Sequence, residues 1–561
     1  MSLARSGADV VVVGGGHNAL VAATLLAREG LDVLVLERLP HVGGAAVSAR
    51  PFAGLDARLS RYSYLVSLFP QALVEDLGLH LELRSRPTAS FTPYERDGVA
   101  QGLLVSTADD AATRRSFHEL TGDDSEHDAW RAFYREVEEL AGVVAATLLS
   151  PLPRRSDLRS QVASPIWTDL VERPLGEAIE RRFAHDLVRG VVATDALIGT
   201  FASLRDPSLV QNRCFLYHLI GNGTGEWRVP VGGMGAVTGE LERVARAAGA
   251  RIQTKRQVHA VRVDGDGVEV KWRGTGDGRG RAGTEGTVTA PWLLSGIAPH
   301  ALEGMLETPP VPRSGVDEAP VGSQLKVNLL LSRLPALRSG VDPAVAFAGT
   351  FHVNEGYGQL EELHAAARRG EAPFAAGELY CHTLTDRSML GPELAATSAQ
   401  TLTYFGLHAP TPHWAAPATA PRRRGDAPTR RCWRPSTPTS PNRSDPWSSG
   451  SSTRPPPRSP RSSRCPAGTS STATCPGPGS TTRRMPSHRP DAGVSTPVTT
   501  ACWCAAAALV AAVPSAASPG TTPPWRCSRR SAPDLDFTPP GPRWYRSRSR
   551  AISSIGRAAD S

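Results

Sequence analysis

Apolar positions follow different periods along the chain. Val10 to Val13 is an unbroken β-branched run, the pattern of a strand buried on both faces. Leu20, Ala23 and Ala27 then share one side of a helix that Gly30 ends, and Val33 to Leu36 is a second buried strand closing at Glu37. From Arg61 to about Gly221 the period predicts helices. Trp130, Phe133, Val137, Leu140 and Val144 recur at helical spacing behind Ser125-x-x-Asp128, which approximates a capping box. Strands return after a glycine turn at Pro230 to Gly235 and a helix to about Ala248. Val258, Val261 and Val263 mark one strand, and Asp264-Gly265-Asp266-Gly267 predicts a hairpin into Val268 to Val270. "VTAPWLLSGIAP" reads as a strand running into a turn at Ser295 to Pro299.

Composition divides the chain at Pro410. The segment beyond it has 22 Arg, no Lys, 6 Asp and no Glu, a net +16 that leaves the first 410 residues at −8. It also holds 26 of the 48 prolines and 6 of the 8 cysteines. Such a tail cannot bury enough apolar surface to offset chain entropy, and disorder is expected. The overall +8 is therefore no argument for a nucleic-acid partner. Cys214 and Cys381 stand far apart in the body, with neither a disulfide framework nor zinc spacing, so no metal is expected. No signal peptide is expected, because a strand begins at about Asp9. No apolar run reaches the roughly 18–20 residues of a membrane span. The run at Ala501, with Cys502 and Cys504, is interrupted by Pro514. The expected location is the cytoplasm, with peripheral membrane contact left open.

The first strand leads directly into Gly14-x-Gly16-x-x-Ala19. Gly14 permits the tight turn, Gly16 lets the backbone approach a pyrophosphate, and Ala19 permits close packing of helix on strand. The following helix offers its N-terminus to phosphate. Glu37, 18 residues after Ala19, is placed to accept hydrogen bonds from a ribose. Strand, glycines, helix, strand and acid in this order predict a dinucleotide cradle. Gly43-Gly44 adds a second glycine turn, as in the extended fingerprint of FAD enzymes of the glutathione-reductase-like class.

These motifs, together with "PVGGMGA", "GARI" and "LLSGIAP", resemble the phytoene-desaturase-like family of FAD-dependent oxidoreductases over residues from about 8 to 410. "GSQLKVNLLLSRLP", "GTFHVNEGYGQLE" and "ELYCHTLTDRSMLGPEL" are similar to the branch named pyridine nucleotide-disulfide oxidoreductase domain-containing protein 2. The resemblance implies an α/β fold, with a glutathione-reductase-like FAD-binding Rossmann domain (1–60 and 222–300) interrupted by a mixed helical and sheet substrate domain. The latter is a helical layer or lid at 61–221 and a sheet at 301–410, with 411–561 as tail. It implies FAD as cofactor, held by Gly14, Gly16, Ala19, Glu37, Gly43 and Gly44, with Val258 meeting adenine through its backbone. Arg61, Tyr62 and Tyr64 would stand near the flavin or the substrate mouth. The implied reaction removes a hydride from an apolar, carotenoid-like small molecule. The single nucleotide fingerprint, with no C-x(2–4)-C redox pair, favours oxygen or a quinone as electron acceptor.

No catalytic acid or base announces itself. Lys326 and Tyr62 are the weak candidates; Lys326 and Asn328 sit at alternate positions of an apolar strand, and an edge or surface lysine is the competing reading. His382 and Asp386 read as parts of a fixed turn. Two alternatives share the fold: a non-catalytic binding protein and an amine-oxidase-like flavoenzyme. The family also ends in a glycine-rich turn resembling GGGVTGIPGHNAA, which this chain lacks as written. Back-translated in one shifted frame, the residues from Cys502 admit GGAVSGIPGHNAA. A frameshift between about His408 and Arg430 is expected, with impaired flavin binding.

Overall fold

The computed structural model describes residues 7–162, 165–221, 225–275, 284–308, 322–371 and 376–410. The tail, the run at Ala501 and most of the interval assigned to a frameshift lie outside the described residues.

The first half begins β1 (Val10–Val13), α1 (His17–Arg28), β2 (Val33–Leu36), β3 (Thr88–Arg96) and β4 (Val99–Ser106). The helices α2 (Ser125–Ala145), α3 (Asp186–Ala193), α4 (Val210–Ile220) and α5 (Met234–Ala247) follow. Then come β5 (Arg251–Gln253), β6 (Arg256–Asp264), β7 (Gly267–Gly274), β8 (Glu285–Ala290) and β9 (Trp292–Ser295). The last strands are β10 (Leu325–Leu331), β11 (Thr350–Val353), β12 (Gly377–Tyr380) and β13 (Gln400–Gly406).

A parallel sheet in the order β9-β1-β2-β5 carries the dinucleotide motif. Alternation along its strands sends side chains to opposite faces. Val10, Val12, Val33 and Val35 pack with Leu20, Val237 and Leu241 of α1 and α5. Val11, Val13, Leu34 and Leu36 pack with Val258, Val261 and Val270, from the antiparallel sheet β6-β7-β8. Both faces are therefore covered, which explains the continuous valines of β1.

A second sheet runs β10-β13-β12-β11-β3-β4. One face packs Phe91, Phe351, Leu379 and Leu402 with Phe347. The other meets the helical layer, where Phe133, Val137, Leu140, Val191 and Phe215 share a core with Tyr380 and Phe405. No helix among the described residues is long and apolar enough to cross a membrane.

Two expectations need correction. Residues 61–221 are not helical throughout, because β3 and β4 pair as a hairpin inside the second sheet. Their turn is Asp97-Gly98, at φ 52° and 77°, an Asp-Gly hairpin signal that the surrounding helical period obscured. Nor does Ser125 cap its helix. Ser125 is the first helical residue, and its Oγ donates to Asp123 Oδ1 at 2.6 Å. Trp130 and Val144 are half-buried, whereas Phe133, Val137 and Leu140 are buried.

Candidate functional site

The cradle is a convergence of glycine turns. Gly14 has φ +91°, and a Cβ there would stand 2.7 Å from Ile297 Cγ2. Gly43 donates its N–H to the Gly15 carbonyl at 2.8 Å, and Gly16 bridges Gly43 in parallel. Gly44, at φ +58°, lies so close that a Cβ would stand 3.0 Å from Gly16 Cα. A third turn enters from β9: Gly296 donates to the Val13 carbonyl at 2.8 Å, and its missing Cβ leaves room for Ala19. α1 starts on Gly16 with no side-chain cap. Positions that must lack a side chain, or carry only a methyl, thus surround the start of one helix.

Glu37 is buried at the end of β2, where its Oε2 accepts from Gly15 N at 2.7 Å and its Oε1 from Leu39 N at 2.8 Å. Two amides occupy only part of a carboxylate's accepting capacity, so lone pairs remain for a diol. The Glu37 carbonyl accepts from Arg256 N at 2.8 Å, which brings the start of β6 to the same place. Val258 follows two residues later. It is buried, at a register shift between Val258 and Ala260 that leaves His259 outside the ladder.

Lys326 lies on β10, an edge strand, and turns inward. Its Nζ donates to the carbonyls of Ser60 at 2.9 Å and Tyr62 at 2.6 Å, and sits 4.8 Å from the centre of the Tyr64 ring. Burial pushes its ammonium down to about 7. Tyr62 contributes its carbonyl to this contact, while its ring lies 5.1 Å under the Arg61 guanidinium. Asn328 accepts from Thr403 Oγ1 at 2.9 Å. Asp386 accepts from Gly232 N at 2.7 Å and Ser388 N at 3.0 Å, pinning the glycine turn before α5. His382 stacks near Tyr64 and Tyr380, and burial, with the Arg86 and Lys326 charges, pushes it down to about 3.

Tyr64 also opens onto a chamber of about 340 Å³ between the second sheet and the helical layer. Trp130 and Tyr134 of α2, Val191 of α3 and Trp227 give it apolar walls. Arg86 and Asp195 line it beside Glu378 and Tyr380 of β12. Glu378 accepts from Thr194 Oγ1 at 2.9 Å and from the Tyr380 hydroxyl. Burial, reinforced by the charge of Glu355, raises the Glu378 carboxyl, and burial raises Asp195 as well. His352 Nδ1 stands 2.8 Å from Glu355 Oε2, and both side chains are buried. The donor atoms of His352, Glu355 and Glu378 lie within 4.8 Å of one another, a set compatible with a divalent ion.

Sequence patterns bring Gly14, Gly16, Ala19, Glu37, Gly43 and Gly44 together, and all six sit at one place. They miss Gly296, Arg86, Asp195, His352 and Glu378. Glu378 carries a readable signal: a charged residue in a strand otherwise fully buried, the same cue that singles out Lys326.

A parallel sheet whose first strand ends in such a turn defines a Rossmann-like dinucleotide-binding protein. Residues 12–75 match the model of the NAD(P)-binding Rossmann-like domain family. Over 414 residues the chain is 45% identical to an uncharacterized protein of Mycobacterium tuberculosis (72% of this chain, 74% of the relative), and it belongs to that protein's family. It is also 31% identical over 295 residues to mouse pyridine nucleotide-disulfide oxidoreductase domain-containing protein 2 (46% of this chain, 49% of the relative). A shorter match, 38% over 97 residues, links it to a limonene dehydrogenase subunit of Castellaniella defragrans, covering 17% of each.

Proposed function

We propose that this chain is a FAD-dependent oxidoreductase of the desaturase or dehydrogenase kind, acting on a small molecule with an apolar body. The observation that carries this is the meeting of the Gly14–Gly16, Gly43–Gly44 and Gly296 turns at the start of α1, with Glu37 beside them. The residues present fit a dinucleotide: Gly16 would admit the pyrophosphate, Glu37 the ribose, and the β6 backbone at Val258 the adenine. When bound, FAD supplies the two-electron acceptor that no side chain here provides. The chain's own part is to hold the substrate in the chamber and keep water out. Lys326 and Tyr64 join that chamber to the segment carrying Ser60 and Tyr62.

A volume of about 340 Å³ is near the lower end for small-molecule sites, which narrows the carotenoid-like class to a short body. The relative named as part of a limonene dehydrogenase supports dehydrogenation of an apolar compound. The single nucleotide fingerprint supports oxygen or a quinone as acceptor.

FAD titration of the purified chain, read by flavin absorbance, tests the reading. Glu37→Gln should weaken FAD about 10- to 100-fold, the effect of losing a charge-assisted hydrogen bond. Tight NADP binding with no flavin uptake would refute it. The frameshift is part of the proposal: a frame-corrected chain should take up more FAD than the chain as written, and equal uptake would dismiss it.

A further inference from the structure

Arg86 is the unexplained charge in the chamber. Its Nε and Nη1 are sealed from solvent and have no hydrogen-bond partner. Among the described residues, no carboxylate stands within ion-pair distance of its guanidinium. Its contact with Tyr380 is a ring face, 6.0 Å from the guanidinium carbon to the ring centre. A buried guanidinium with unmet donors is costly in a folded core, and a protein that keeps one has a use for it.

The acids nearby do not fill that role. Glu378 is engaged by Thr194 and Tyr380. Glu355 faces His352 at 2.8 Å, and Glu226 pairs with Arg228 at 2.7 Å. Arg86 therefore keeps two donors that none of the described groups lining the chamber meets. Around it stand Trp130, Tyr134, Trp227 and Val191, which suit a flat or branched apolar body.

We propose that the chamber binds a small carboxylic acid with an aromatic or branched apolar body, and that Arg86 anchors its carboxylate. The planar fork of a guanidinium matches the two oxygens of a carboxylate. A phosphate would bring a second negative charge, and Lys326 is turned away onto the carbonyls of Ser60 and Tyr62. As a statement about the substrate, this rests on the oxidoreductase reading above. As a binding site it stands apart from it.

The test uses 3-phenylpropanoic acid and its uncharged amide, 3-phenylpropanamide, with affinities for the full chain measured calorimetrically at neutral pH, with and without FAD. The acid should bind at least about 10-fold tighter than the amide, as expected for a charge-assisted pair. Arg86→Met should bring the ratio close to one with little change for the amide, and Arg86→Lys should retain part of the preference. Equal binding of acid and amide by the wild-type chain overturns the proposal, as does binding of neither, or an undiminished preference in Arg86→Met. Because the wild-type ratio decides by itself, a variant that fails to fold does not alter the outcome. Acid binding with no FAD uptake even by the frame-corrected chain would sink the oxidoreductase reading and keep the anion site; FAD uptake without acid preference would do the reverse.

Discussion

The cradle and the chamber are built from opposite materials. Around α1 the working surface is backbone: three glycine turns, one methyl side chain and a single carboxylate held by two amides. Between the second sheet and the helices it is side chains, with Arg86, Asp195, Glu378 and Tyr380 contributed from widely separated stretches. A backbone site binds what any dinucleotide presents, a pyrophosphate and a ribose, and tolerates only the absence of side chains. A side-chain site is free to specialise, because changing one residue leaves the backbone where it is. The two regions should therefore fail differently under mutation.

The largest loss should come where a helix of the second region touches backbone directly. At Gly190 of α3, a Cβ would stand 1.8 Å from the Glu355 carbonyl oxygen, and backbone cannot step aside cheaply. Gly190→Ala should cost about 3 kcal/mol or more in chemical denaturation, or abolish folding. A normal denaturation curve would show that the α3 contact is looser than described. Next in size is Gly44→Ala. Its φ of +58° and the 3.0 Å approach to Gly16 predict a loss of about 1–3 kcal/mol, with a matching loss of FAD affinity, while acid binding in the chamber persists. Loss of both together would mean that the two regions are not separable.

The titrating groups give smaller effects. Lys326 is pushed below its ordinary 10.5 to about 7, so between those values the unfolded chain holds the extra proton and stability rises with pH. The slope should approach ~1 kcal/mol per pH unit and vanish in Lys326→Met. A variant that keeps the slope places its origin elsewhere. Glu378 shifts the other way: its folded value is raised, so its stabilising share is complete below the ordinary carboxylate range and fades as pH rises through the raised value. Glu378→Gln should change stability by under about 1 kcal/mol near neutral pH and gain on the wild type as pH rises, read by thermal melts. A loss of about 3–5 kcal/mol would instead reveal an ionised Glu378 in a buried pair.

The same division decides what the sequence makes legible. Gly14, Gly16, Ala19, Glu37, Gly43 and Gly44 lie within one short stretch, and their order is itself the geometry. Gly296 belongs to the cradle by strand pairing of β9 with β1, which spacing along the chain does not reveal. Arg86 looks like any loop arginine until β3 folds under the helices. The β3–β4 hairpin is masked although Asp97-Gly98 announces it, because the helical period on its C-terminal side dominates the segment. Lys326 stands out as polar in an apolar strand, but whether it points inward depends on where Ser60 and Tyr62 come to rest.

The strand order of the second sheet bears on how the protein is made. β3 pairs with β11 through Ser90 and Thr350, roughly 260 residues apart in sequence. At about 5–20 residues per second, a ribosome delivers β11 some 10–50 seconds after β3. Until then the β3–β4 hairpin waits with Phe91 uncovered and one strand edge unpaired, and an isolated hairpin is marginal in water. The nascent chain therefore carries an adhesive edge through much of its synthesis. Yield in a heterologous host should depend on chaperone supply and translation speed more than on the stability of the finished fold.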